Sequence, residues 1–143
     1  METYMLSLNF EVPGNPDDYY EVREKEDGTL SYKPNRLKIR GLAKTQCDYF
    51  DYISSLGENI HIATLESNDV INEFFENEPE EAQISIYNTL SEEFNAITDT
   101  ILDKTSELNA QAQQTENVAE NIGKVIGAII LIGFIVFILS QIN

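Results

Sequence analysis

Residues Glu80–Leu108 read EEAQISIYNTLSEEFNAITDTILDKTSEL, a stretch with neither proline nor glycine. Tyr87, Phe94, Ile101 and Leu108 recur every seven positions, and Leu90 and Ile97 fill the intermediate column. A seven-residue apolar repeat belongs to a helix that lays one stripe against another surface. The helix start is marked too. In Asn77-Glu78-Pro79-Glu80-Glu81 a proline stands where a missing N–H is harmless, and acids stand at the positive end of the helix dipole. An unbroken helix from Glu80 to Asn121 is about 63 Å long, with Thr89-Leu90-Ser91-Glu92 as a second capping signature at which it would bend. The seam weakens after Leu108. Its frame runs on through Gln111, Thr115 and Val118 to Ile122 and Val125, and Asn109–Asn117 reads as a solvated spacer.

Downstream lies Val125-Ile126-Gly127-Ala128-Ile129-Ile130-Leu131-Ile132-Gly133-Phe134-Ile135-Val136-Phe137-Ile138-Leu139, and no charge occurs from Val125 to Asn143. A helix of that length spans about 28 Å, close to the ~30 Å hydrocarbon core of a bilayer. A transmembrane helix is expected, because no other segment is apolar enough to surround a helix that is hydrophobic on every side. Lys124 agrees with the positive-inside tendency. Met1-Glu2-Thr3-Tyr4-Met5 lacks the base and the apolar run of a signal peptide. The expected topology is therefore single-pass and tail-anchored, with the N-terminal domain cytoplasmic, in an endoplasmic-reticulum-type or bacterial inner membrane. Gly123-Lys124-Val125-Ile126-Gly127 forms a GxxxG pattern, and Gly123 and Gly127 are its candidate packing residues within the membrane.

Upstream, Tyr4, Leu6, Leu8, Phe10 and Val12 alternate with Ser7, Asn9 and Glu11, which predicts a strand. Pro13–Asp18 breaks it, and residues 19–33 predict a β-hairpin turning at Lys25-Glu26-Asp27-Gly28. Leu37 and Ile39 alternate with Lys38 and Arg40, so a further strand is expected over 36–42 to complete an antiparallel meander. Cys47, Phe50, Ile53 and Leu56 predict a helix over 44–56 ended by Gly57. Ile60 and Ile62 predict a short strand, and Ser67 or Asn68 the cap of a helix carrying Val70, Ile71, Phe74 and Phe75.

The expected fold class is α+β: a small N-terminal antiparallel-sheet domain with short helices, then a long helical stalk continuing into one C-terminal transmembrane helix. The expected divisions are an acidic head over 1–77, a stalk over 78–121 and the membrane helix over 122–143.

Net charge is −16 over 143 residues, which disfavours a nucleic-acid partner, because binding to phosphate backbones needs a basic footprint. The imbalance is segmental. Residues 66–81 carry acids and no base, 33–44 carry bases and no acid, and these two segments are candidates to face each other. Cys47 is the one cysteine and His61 the one histidine, too few for a structural zinc site. A buried small residue is expected at Cys47, and at His61 a strand residue that faces solvent or serves as a hydrogen-bond partner. No calcium loop, phosphate loop or nucleophile elbow occurs. No catalytic, metal or cofactor residue is assigned, and no enzyme is expected.

Head, heptad helix and apolar tail together resemble a SNARE in layout, over about residues 84–143. Gln111 takes a seam position, but about a dozen residues separate it from the apolar tail, so no functional residue carries over. That resemblance implies tethering or fusion. A viral or bacterial regulator of membrane activity would share the same anchor. The function expected first is an accessory subunit, adaptor or scaffold of a membrane-associated complex. Its partners are the lipid bilayer and a protein, a homodimer included, engaged through coiled-coil positions Leu90, Phe94, Ile97, Ile101 and Leu108.

Overall fold

The structure is a computed structural model and describes residues 9–111, with side chains through Glu107. A 3-10 turn over Pro16–Tyr19 leads into strand β1 (Tyr20–Glu24), strand β2 (Leu30–Pro34), and helices α1 (Arg36–Ser55), α2 (Ile60–Phe75) and α3 (Glu80–Gln111). The class is α+β, with one two-stranded antiparallel sheet followed by three helices. Tyr20 pairs with Pro34, Val22 with Tyr32 and Glu24 with Leu30. The turn between the strands depends on Gly28, whose φ of +80° is open to glycine at no steric cost. Asp27 accepts bonds from the Thr29 hydroxyl and backbone N–H, and these hold its carboxyl below the usual range.

Among the described residues only this hairpin of the expected meander forms. Within the strand expected over Tyr4–Val12, residues 9–12 are irregular chain, and Tyr4, Leu6 and Leu8 lie outside the described residues. The alternation of Phe10 and Val12 serves a different packing: Phe10 is buried with its ring 5.5 Å from that of Tyr49, and Val12 packs partly on the same core.

The strand expected over 36–42 is instead the first two turns of α1. Four residues of alternation fit a strand, but Ile39, Leu42, Ala43, Gln46, Cys47, Phe50 and Ile53 are all buried at helical spacing, and Leu37 is left 77% exposed. Asn35 starts the helix, its side chain accepting from the Lys38 N–H and donating to the Asp18 carbonyl. Gly57 ends α1 as anticipated. With φ at +73° it permits the paired bonds Gly57 N–H to Ser54 and Glu58 N–H to Ile53 that close a Schellman turn.

The strand expected at Ile60 and Ile62 is likewise helical. Asn59 caps α2 by accepting from the His61 N–H at 2.9 Å. Ser67 and Asn68, expected to start a helix, lie in its middle.

Helix α3 begins at Glu80 and runs 32 residues to Gln111. Its first half is not a free stalk. Ala82, Ile86, Leu90 and Phe94 are fully buried, α3 lies against both α1 and β2, and Tyr87 meets Phe75 of α2 edge-on. The expected boundary between 77 and 78 thus falls inside the packed unit. From Leu102 to Glu107 most α3 side chains are exposed, so the helix outruns the core it helps to build. Among the described residues no helix is long and apolar enough to cross a membrane. The expected spacer and membrane helix lie outside them.

Truncating a fully buried phenylalanine removes its transfer energy and leaves a cavity. Phe94→Ala is therefore expected to lower the stability of the whole head by about 3–5 kcal/mol in urea denaturation followed by far-ultraviolet circular dichroism. A loss below about 1 kcal/mol would place Phe94 outside the core.

Candidate functional site

Two polar clusters tie the helices together, and the stronger lies between α1 and α3. Arg36 and Arg40 stand one helical turn apart on α1 and converge on Glu93 of α3. Arg36 Nη1 donates to Glu93 Oε1 at 2.9 Å, and Arg40 donates from Nε to Oε2 at 2.7 Å and from Nη2 to Oε1 at 3.4 Å. A further ion pair joins Arg36 to Glu92. The geometry is asymmetric: the Glu93 side chain is 4% exposed, while those of Arg36 and Arg40 are 53% and 61% exposed. The carboxylate is buried, whereas the guanidinium groups stay partly hydrated above their apolar stems. Bonds from Arg40, with those from Arg36, hold the Glu93 carboxyl below its ordinary value against the opposing effect of burial. An anion so held is an anchor and a poor proton acceptor.

This arrangement corrects the expected electrostatics. Among the described residues no salt bridge joins the basic run 33–44 to the acidic run 66–81: Arg36 and Arg40 pair with Glu92 and Glu93, and Lys44 pairs with Asp48 within α1 at 2.7 Å. Sequence reading passed over Glu93. The available signal was one acid on the apolar stripe between Leu90 and Ile97, matched by two arginines at a spacing of four.

The second cluster lies between α1 and α2. Gln46 is fully buried and donates from Nε2 to Ser67 Oγ at 2.8 Å and Asn68 Oδ1 at 3.2 Å, while Ser67 donates to the Thr64 carbonyl. Gln46 Oε1 and Asn68 Nδ2 have no protein partner among the described residues. The hairpin is tied in by Tyr20, whose hydroxyl donates to Glu78 at the α2–α3 corner, and that bond raises the phenol to about 12.

The residues expected to pair with a partner helix are divided by the fold. Leu90 and Phe94 are consumed in the core, Ile97 and Ile101 are half-buried against it, and Leu108 lies on α3 beyond the described side chains. Gly123 and Gly127 lie outside the described residues. Cys47 packs in the core beside Phe50, where burial first, then Asp51, pushes the thiol up to about 12. His61 is exposed near the start of α2, so the fold does not bring Cys47 and His61 together as a reactive pair. Among the described residues no group of three His, Cys, Asp or Glu is placed to hold a metal ion. No protein-family model matches the chain, and comparison with curated proteins and with solved structures gives no match.

Because the Glu93 carboxyl is held below its ordinary value of 4.5, its contribution is complete above that pH and is lost as pH falls through the lowered native value. Glu93→Gln is expected to unfold at lower temperature than the native chain at pH 7, with the gap closing below pH 4.5. A gap that stays constant across that range would contradict the assignment.

Proposed function

We propose that this chain is a single-pass, tail-anchored membrane protein whose acidic head serves as an accessory subunit, adaptor or scaffold of a membrane-associated complex. The observation that carries the reading is the uncharged run Val125–Asn143, long enough to span a bilayer at about 28 Å. It follows a helix that starts as core and leaves the head as an exposed arm. In this reading the head lies on the cytoplasmic side of an endoplasmic-reticulum-type or bacterial inner membrane, and α3 sets its distance from the lipid.

The burial of Leu90 and Phe94 narrows the pairing surface. A partner helix, including one from a second copy, would meet the distal part of α3 from about Ile101 through Leu108, and then Gly123 and Gly127. It also weighs against zippering in the manner of a SNARE, since the strongest apolar layers are already occupied within the chain.

Expressed in cells, the full chain is expected to stay with the membrane pellet through alkaline carbonate extraction. A chain lacking residues 122–143 is expected in the supernatant. Release of the full chain by carbonate would contradict the anchor.

A further inference from the structure

The outer face of α2 is unpartnered. Ile62 and Leu65, each 54% exposed, begin a stripe that continues through exposed Glu66, Asp69, Glu73 and Glu76. Their spacing puts them on one side of the helix, and the stripe is about 21 Å long at 1.5 Å per residue. Its charges are poorly placed for the helix on its own. Glu73 and Glu76 stand at the C-terminal end of α2, where the macrodipole is already negative, and no base occupies the last turn.

No base among the described residues pairs with them, and the one side-chain donor is Asn77, which bonds Glu76 at 3.4 Å. The salt bridges there engage Glu21, Asp48, Glu92 and Glu93, and none engages Glu66, Asp69, Glu73 or Glu76. From Thr45 to Asp103 the chain has no lysine or arginine. Residues 1–8 have none either, and residues 112–143 have Lys124 alone, so these two segments offer the four acids a single base.

We propose that this face docks a cationic amphipathic helix of a partner protein. Apolar side chains of that helix cover Ile62 and Leu65, and its Lys and Arg residues run along Glu66, Asp69, Glu73 and Glu76. Such a partner removes two exposed aliphatic side chains from water and supplies the positive charge that the end of α2 lacks. A metal ion is a poorer occupant, because the acids are strung along about four turns and do not converge on a point. The inference rests on the adaptor reading of the head and names the chemistry of its partner. It does not depend on the membrane helix.

The test uses the full chain in a nonionic detergent and a fluorescein-labelled synthetic helix with leucine on one face and lysine on the other. Fluorescence anisotropy is expected to show binding at low salt that weakens as the Debye length shortens. The double variant Ile62→Ser/Leu65→Ser and the triple variant Asp69→Asn/Glu73→Gln/Glu76→Gln are each expected to weaken binding about tenfold. A matched triple on exposed α3 positions, Asp99→Asn/Asp103→Asn/Glu107→Gln, is expected to change it by less than about twofold. Photo-crosslinking from the leucine face to the unsubstituted chain is expected to label residues 58–76. Equal loss in the α3 triple, crosslinks outside residues 58–76, displacement by equimolar calcium, or no binding at any salt would each overturn the proposal. Carbonate extraction of the full chain is unaffected by any of these outcomes, so failure here is distinct from failure of the anchor.

Discussion

The stripe of Ile86, Leu90 and Phe94 on α3 is the surface on which the rest of the domain assembles. A two-stranded hairpin cannot bury enough apolar area to stand alone, and α1 and α2 each need a surface to cover their inner faces. Helix α3 lies against α1 and β2, and through Tyr87 it reaches Phe75 of α2. Its residues from Leu102 to Glu107 are mostly exposed and lie outside that core. One helix is therefore both the floor of the head and the start of an arm, and the two roles divide near Ile101.

Charge placement reinforces the same contact. The bases of α1 cluster toward its N-terminal end, where the helix dipole opposes them and where the first turn has no acid. Glu93 resolves this by accepting from Arg36 and Arg40 while its own side chain is almost wholly buried. Leaving that carboxylate unpaired in the core would be costly. The pair therefore fixes the register of α3 on α1, which apolar contacts alone define loosely. The acids of α2 have no such counterpart among the described residues, and that difference separates an internal anchor from an outward-facing surface.

The residues that announced themselves were those whose local chemistry has one solution. The hairpin turn at Gly28, the end of α1 at Gly57 and the start of α3 after Pro79 were all legible because each is set within a few residues. The strands expected at 36–42 and 60–63 were misread because alternation across four residues is compatible with a helix. Only the longer series Ile39, Leu42, Ala43, Gln46, Cys47 and Phe50 decides it. The seven-residue repeat identified α3 and, in Leu90 and Phe94, part of its buried stripe, but neither Ala82 and Ile86 nor what covers them, since about three heptads describe a helix on its own head as well as they describe a coiled coil. The acid at Glu93 stood out on the apolar stripe, but its pairing was illegible for a related reason: its partners are more than fifty residues away in sequence and are brought to it by packing alone.

Native-state hydrogen exchange on the full chain in detergent tests the dual role of α3 most directly. If α3 is core before it is arm, amides from Ala82 to Thr98 will open together with the buried turns of α1, at the free energy of global unfolding, and protection will fall away from Leu102 to Gln111. Exchange of residues 82–98 well ahead of α1, as for a helix that opens on its own, would contradict it.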